Sequence, residues 1–250
     1  MIGWLSVMES AIRSLNRLNK ELCLTHLPHF FQVYMESLST SHHKNVHIII
    51  TNCLSSILEQ CVQTNMSLFI DDLKQSVDTK KSLLAKIFSH IENGLSYQFH
   101  ETWLFVMKVL ACAFTSFKHR DTFVIVEKCL SSLGNLRESE QFTYKKEADF
   151  AIGRAIQTYG PKLMLDCIPI DITGDETSYD YPRSWMLPLL KDNIEKTELS
   201  YFIKTLLPLA IKLRTKSNEF LKNKQDIQHK IFDNLQNQVN RSLFEQVFLL

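Results

Sequence analysis

Tyr97-Gln-Phe-His-Glu-Thr-Trp103-Leu-Phe-Val-Met-Lys-Val-Leu110-Ala-Cys-Ala-Phe-Thr-Ser-Phe117 decides the fold class. It contains neither glycine nor proline. Trp103, Leu104, Val106, Met107, Leu110, Ala111, Ala113, Phe114 and Phe117 point to almost every side of a helix drawn through it. A surface helix carries one apolar stripe, whereas a helix that is apolar all round is sandwiched between neighbours. Lys108 interrupts the run, and Leu104–Phe114 falls well short of the roughly 20 apolar residues that span a bilayer. The stretch therefore predicts a buried helix inside an all-helical array.

The flanking segments agree. Ile49, Ile50, Cys53, Leu54, Ile57, Leu58 and Cys61 recur at helical spacing between Val46 and Val62, and a short helix is expected over Ser67–Val77. Asp78-Thr79 reads as a start before Leu83, Leu84, Ile87, Phe88 and Ile91, with Gly94 as the stop. Asp121-Thr122 opens the next pattern, Phe123, Val126, Leu130 and Leu133, which ends near Gly134-Asn135. A further helix covers Glu140–Tyr159, with Phe142, Ala148, Ala151, Ile152 and Ile156 inward. Toward the N-terminus, Trp4, Val7, Met8, Ile12, Leu15 and Leu18 form one stripe. Thr25 is a plausible cap for a helix whose first turn holds Pro28 and whose inner face holds Phe30, Phe31, Tyr34, Met35 and Leu38.

Helix pairs beginning near residues 43, 80 and 119 give a period of roughly 37 to 39 residues, beside the two-helix repeat of the HEAT and armadillo class. Such a repeat buries its apolar face only by stacking on its neighbours. The expected fold is an all-α α-solenoid of HEAT/armadillo-like helical repeats. Residues 1–158 form the N-terminal repeats, residues 159–236 a distinct segment continuous with them, and residues 237–250 an apolar tail.

Composition narrows function. With 250 residues, 45% of them hydrophobic, the chain has enough apolar material for a real core. Lys plus Arg number 28 and Asp plus Glu 27, so the whole chain lacks the basic footprint of a dedicated nucleic-acid binder. Six glycines are too few for repeated hairpins or phosphate loops. The six cysteines include no CxxC pair and mostly lie in apolar helical patterns, which reads as a reducing compartment. No secretory signal is visible near Met1.

Cys23, His26 and His29, with His42, His43 and His47 nearby, supply ligand types for zinc but no fourth ligand at the usual spacing. No metal and no cofactor is expected. Asp71-Asp72, Asp171 and Asp175-Glu176 are the carboxylates closest to pairing. Adjacent helical residues point apart, and loop acids are solvated, so no catalytic residue is assigned. Neither a GxSxG elbow nor a Gly-rich phosphate loop occurs, and no small-molecule substrate is expected.

The segment from Tyr159 to Arg214 departs from the helical monotony. Four of the six prolines lie between Pro161 and Pro188, and Pro208 is a fifth. Leu163 to Pro182 holds five acids, Asp166, Asp171, Asp175, Glu176 and Asp180, and no base. Lys212, Arg214, Lys216, Lys222, Lys224 and Lys230 then outnumber Glu219 and Asp226. A solvated loop and a solvated helix face account for both features; the functional reading is an acidic docking loop and a basic strip suited to phosphate. Arg183 is placed to pin the loop through Asp171 or Asp180, and Trp185 to sit in the core where the loop rejoins the helices. The pattern Leu199, Phe202, Ile203, Leu206, Leu207, Ala210, Ile211 predicts a helix starting at Thr197-Glu198, kinked or broken at Pro208. A last helix begins near Asp226 with Ile227, Ile231, Leu235 and Val239 inward.

Gly160-Pro161 with Leu165 and Pro169, then Pro182-Arg183-Ser184-Trp185-Met-Leu-Pro188-Leu-Leu190, then Phe202 and Leu206-Leu-Pro208-Leu-Ala210, resembles the signature region of the ribosomal RNA-processing protein twelve family. Lys230-Ile-Phe-Asp-Asn-Leu-Gln236 extends the likeness; the residues before Gly160 are compatible but less specific. The resemblance implies a karyopherin-like HEAT-repeat scaffold without an active site. Its implied role is in pre-ribosomal RNA processing and in assembly and nuclear export of pre-ribosomal subunits. Implied partners are pre-ribosomal particle proteins, pre-rRNA, Ran GTPase and nucleoporins; implied localisation is the nucleus and nucleolus, with shuttling to the cytoplasm. The chain is much shorter than a full member, and beyond Gln236 it departs from the family's tryptophan-containing helix, so a partial chain is expected. The residues assigned to docking are Pro169, Asp171, Arg183, Ser184, Trp185 and Pro188, and those of the basic strip Lys212, Arg214, Lys216, Lys222 and Lys224. The alternative is a karyopherin-like or other α-solenoid adaptor that binds proteins without RNA contact.

Overall fold

The computed structural model describes residues 2–172, 181, 183–194 and 199–247. Among them are helices and turns and no strand. The chain divides into two compact units, Met1–Thr158 and Tyr159–Leu250.

The first unit opens with α1 (Ile2–Leu18), α2 (Lys20–Thr40) and α3 (Lys44–Ile57). It continues with α4 (Met66–Gln75), α5 (Leu83–Glu92), α6 (Trp103–Ser116) and α7 (Phe123–Glu138). The α8 segment, Lys145–Cys167, starts in this unit. Packing is by stacked pairs: α2 lies on α5 and α5 on α7, while α3 lies on α6. The sequence spacing paired α3 with α4. In the structure α3 instead partners the preceding α2, and α4 is an extra helix against α5. The all-round apolar helix sits where expected. Val106, Val109, Leu110, Ala113 and Phe114 of α6 are fully buried, and Phe88 of α5 meets Phe114 and Phe117 at 6.2 and 5.7 Å between ring centroids. Its first turn and a half is tighter than predicted, since Tyr97–Thr102 is 3₁₀.

Local chemistry corrects several predicted boundaries. α2 starts at Lys20, five residues before Thr25, because Asn19 Oδ1 accepts the Leu22 N–H at 3.0 Å. Pro28 therefore lies inside the helix rather than in its first turn. Asp78 caps only the 3₁₀ turn Thr79–Lys81. The start of α5 is secured by Ser82 Oγ, which accepts from Ala85 N at 3.3 Å, and by Asp72 Oδ2, which accepts from Leu83 N at 2.7 Å. Asp72 is thus a brace between α4 and α5, and the Asp71-Asp72 pair divides its duties by helix geometry: Asp71 is exposed. α7 runs through Gly134-Asn135 to Glu138, with Gly134 buried inside it. α1 presents a rotated face. Leu5 and Ile12 are buried, whereas Trp4, Val7 and Leu18 of the predicted stripe are exposed at 50%, 65% and 86%.

Gly94, two residues past the end of α5, is required for a steric reason rather than a conformational one. It lies in the 3₁₀ turn Asn93–Leu95 and is buried. A Cβ there would stand 2.8 Å from Val106 Cγ1 and 2.9 Å from Met35 Cε. Only a residue without a side chain lets α2, α5 and α6 close on one another at this point.

After α3 the backbone widens into a π-helical turn, Leu58–Val62. Such a turn misdirects carbonyls away from the regular ladder. Two asparagines collect them. Asn16 Nδ2 donates to Gln60 O at 3.1 Å, and Asn65 Nδ2 donates to Cys61 O and to Asn16 Oδ1, both at 2.7 Å. Asn65 is 2% exposed, so this satisfaction is obligatory.

The second unit holds the end of the α8 segment, α9 (Met186–Asn193), α10 (Leu199–Lys222) and α11 (Asp226–Val247). The helical segment Lys145–Cys167 is interrupted at Gly160, whose φ of 81° and ψ of 163° no L side chain adopts readily. Pro161 follows, with its ring suited to the first position of the renewed helix. α10 and α11 form a hairpin and pack extensively; α9 lies against α11. α10 passes through Pro208 without the predicted break. The carbonyl that Pro208 leaves without a donor belongs to Lys204, an exposed residue.

Candidate functional site

The six residues assigned to docking and the five of the basic strip all lie in the second unit. The loop that leaves α8 turns its apolar side chains inward: Ile168, Ile170 and Ile172 are buried, as are Met186, Leu187 and Leu190 of α9. Its polar groups face out. Pro169 and Asp171 are exposed, and Asp171 takes a left-handed φ of 55°, a conformation that aspartate tolerates better than most residues. Residues 173–180 and Pro182 lie outside the described residues; the acids Asp175, Glu176 and Asp180 belong to that stretch.

Arg183 closes the loop onto α9. Its Nη1 stands 3.2 Å from Asp171 Oδ2 and donates to Pro169 O at 3.4 Å. The side chain of Arg183 is 18% exposed, that of Asp171 56%. Arg183-Ser184-Trp185 is a hydrogen-bonded turn, with Ser184 N donating to Tyr181 O at 3.1 Å and Met186 N to Arg183 O at 3.0 Å. Trp185 is half-buried rather than core. Pro188 sits in the first turn of α9, where an amide proton would have no helical acceptor, and it is exposed. Tyr181 reaches α11 edge-on, its ring at 6.4 Å and 90° to Phe232. The loop is thus anchored at both ends to the helices of its own unit.

The basic strip divides. One residue advances a helix by about 100°, so Lys212 and Lys216 share a face while Arg214 projects about 200° away from Lys212. Lys212 and Lys216 are half-buried; Arg214, Lys222 and Lys224 are exposed. Arg214 and Lys222 instead share a surface with Ile203, Leu207, Ile211 and Leu221, which are 51%, 38%, 59% and 52% exposed. The outer face of α10 is therefore apolar with bases set into it, a composition that a reading of the bases alone did not find. The adjoining face carries Leu206, Ala210, Leu213 and Ser217 into the hairpin. Ser217 Oγ and His229 Nδ1 lie 2.9 Å apart and tie α10 to α11. Tyr201, low on α10, has its hydroxyl pKa raised by burial and then by the charge of Asp166.

Lys224 ends the strip with a φ of 57°. Gln225 N donates to Phe220 O at 2.9 Å and Lys224 N to Leu221 O at 3.1 Å. These two bonds define a Schellman C-cap with lysine where glycine is usual.

The zinc-ligand types of the first unit do not converge. Cys23 is buried and donates to Ile12 O, whereas His26 and His29 are exposed. His47 is buried, its Nε2 2.7 Å from Ser41 O and its ring edge-on to Phe105. No cluster of three or more His, Cys, Asp or Glu residues occurs among the described residues. The carboxylate hub of this unit is Glu9, unremarked in the sequence. It accepts from Ser56 Oγ at 2.7 Å and from Arg13 Nη1 at 3.1 Å, and Cys53 Sγ lies 3.7 Å away. Burial, then the Glu9 charge, pushes the Cys53 thiol up to about 11. Glu9 is held by structural donors and joins α1 to α3.

Stacked helix pairs, with helices and turns and no strand among the described residues, define a helical-repeat protein of the HEAT class, an all-α solenoid. A family model described as "Ribosomal RNA-processing protein 12, HEAT repeats" matches residues 40–243, and the chain belongs to that family. It is 36% identical over 239 residues to an RRP12-like protein of Gallus gallus, covering 96% of this chain and 18% of the relative. Identity is 36% over 236 residues to the RRP12-like protein of Homo sapiens, covering 94% and 18%. Ribosomal RNA-processing protein 12 of Saccharomyces cerevisiae is 24% identical over 244 residues, covering 95% and 19%. The chain thus spans about a fifth of the length of these relatives. No helix among the described residues is long and apolar enough to cross a membrane.

Proposed function

We propose that this chain is a non-enzymatic scaffold segment of ribosome biogenesis, acting in pre-rRNA processing and in assembly and nuclear export of pre-ribosomal subunits. The observation that carries the reading is the family match over residues 40–243, with relatives named for ribosomal RNA processing. The mechanism is surface display. The braced loop of Pro169, Asp171, Arg183, Ser184, Trp185 and Pro188 offers a fixed shape to proteins of the pre-ribosomal particle. Arg214 and Lys222, exposed on α10 with Lys224 at its end, offer charge to pre-rRNA phosphate. Ran GTPase and nucleoporins are further partners, and the place of action is the nucleus and nucleolus, with shuttling to the cytoplasm.

A second reading has its own support. Ile203, Leu207 and Ile211 make the outer face of α10 apolar, which suits a protein partner and an adaptor that never touches RNA. Affinity purification from nucleolar extract, followed by RNA binding across a salt series, separates the two. Scaffold action predicts recovery of pre-ribosomal proteins, and RNA affinity whose log–log salt slope falls by about 1 for each of Arg214→Glu and Lys222→Glu. Recovery of cytosolic proteins alone, with no RNA retention, sinks it in favour of the adaptor.

A further inference from the structure

In the first unit, two turns distant in sequence meet to form an aromatic recess of about 540 Å³. One turn is the 3₁₀ segment Tyr97–Thr102 with Trp103; the other joins α7 to α8 and carries Phe142 and Tyr144. The rings stand as walls at steep angles to one another. Tyr97 and Trp103 are 6.5 Å apart at 81°, Trp103 and Phe142 5.3 Å at 55°, and Phe142 and Tyr144 6.2 Å at 72°. Phe142 is 2% exposed and forms the floor. Tyr97 is 77% exposed, yet it is not loose: His100 stacks on it at 4.7 Å and 6°.

We propose that this recess binds the guanidinium of an arginine in a basic peptide. Ring faces set at steep angles around one opening present several negative quadrupole faces to a cation. Among the described residues the lining holds one carboxylate, that of the exposed Glu101, whose Oε1 lies 3.9 Å from His100 Nε2, and neither lysine nor arginine. Leu136 and Ser139 bring the last turn of α7, whose terminal carbonyls add partial negative charge. The start of α8 at Lys145 contributes partial charge of the opposite sign at one edge. Full charges outweigh these, so a cation is the occupant that the lining selects, and a nucleotide phosphate is disfavoured. Nothing in this assignment depends on the ribosome-biogenesis role or on the α10 surface.

The test is fluorescence anisotropy with the full 250-residue chain and three labelled probes at pH 8. They are an arginine-rich nonapeptide, the same peptide with citrulline for arginine, and oligouridine. Citrulline keeps the shape of arginine and removes its charge. The arginine peptide is expected to bind, and citrulline to weaken it by about tenfold. Tyr97→Ala should weaken the arginine peptide by about tenfold, Tyr97→Phe by less than about twofold, and Glu101→Gln by about threefold. Exposure of Tyr97 leaves the fold intact, which circular dichroism verifies. Equal affinity for the two peptides, indifference to Tyr97→Ala, or Tyr97-dependent binding of oligouridine in place of the peptide overturns the proposal.

Discussion

Arg183 Nη1 lies 3.2 Å from Asp171 Oδ2 while also donating to the carbonyl of Pro169. One guanidinium thus holds two positions of the loop that leaves α8. The two partners are unequally buried, at 18% and 56% exposure, and an ion pair with one end in water contributes little. A double-mutant cycle with Asp171→Ala and Arg183→Ala, read by urea denaturation, should give a coupling below about 1 kcal/mol. Arg183→Ala alone should cost more than Asp171→Ala alone, because it also loses the Pro169 bond and the packing of the arginine stem. Equal single-mutant costs would refute the two-point brace.

Gly94→Ala tests the close approach of α2, α5 and α6. Its Cβ would meet Val106 Cγ1 at 2.8 Å and Met35 Cε at 2.9 Å. Overpacking of this kind costs about 1 to 3 kcal/mol. Met35 can swing its terminal methyl away, but Val106 is β-branched and fully buried. The penalty should therefore shrink in a Gly94→Ala, Val106→Ala background, measured as the coupling between the two changes.

Lys224→Gly should raise stability. The lysine occupies the left-handed position of the Schellman cap at φ 57° and is exposed. Glycine removes a strain of about 1 kcal/mol and keeps both cap bonds, which come from the backbone. A higher urea midpoint with an unchanged slope is the expected result; a lower midpoint means that the lysine side chain contributes more than its backbone costs.

Alkaline stability should report Cys53. Its thiol is raised from 9.0 to about 11 in the fold by burial and by Glu9. A raised pKa means that the neutral thiol is favoured by the fold, so this contribution is complete below pH 9 and is lost as pH climbs through 11. The wild type should lose on the order of 2 kcal/mol more than Cys53→Ala across that window. Parallel curves for the two proteins would show that Cys53 does not titrate as its surroundings dictate.

Helical period was readable wherever a helix is buried on a broad face. Val106, Leu110 and Phe114 of α6, and Ala148, Ala151 and Ile152 of α8, are where the pattern put them. α1 shows the limit. Trp4 and Leu5 are adjacent apolar residues, so a face can be drawn through either; packing against α2 and α3 chose Leu5 and left Trp4 half in solvent. The basic strip looked continuous because Lys212, Arg214 and Lys216 alternate closely in sequence, but helix rotation sends Arg214 elsewhere. The π-helical turn left little mark in the sequence: of the two asparagines that satisfy its carbonyls, Asn65 is local, but Asn16 comes from another helix. The aromatic recess was invisible for the same reason, its walls being some forty residues apart. Arg183 was legible as a brace of the loop because it follows a run of acids, but the sequence left its partner open between Asp171 and Asp180; the described contact is with Asp171.

Gly160 makes the backbone between Thr158 and Lys162 locally mirror-handed. A residue at φ 81° and ψ 163° is where a D-amino acid is at ease, since inversion carries it into ordinary extended space. Among the described residues, no atom beyond its chain neighbours and the adjacent helical backbone lies within 4 Å of a Cβ built in the L sense. What forbids L-alanine at this position is chirality and not crowding. The boundary between the two units is therefore a natural seam for chemical synthesis, at which a peptide carrying D-alanine could be ligated into the chain with its turn already set.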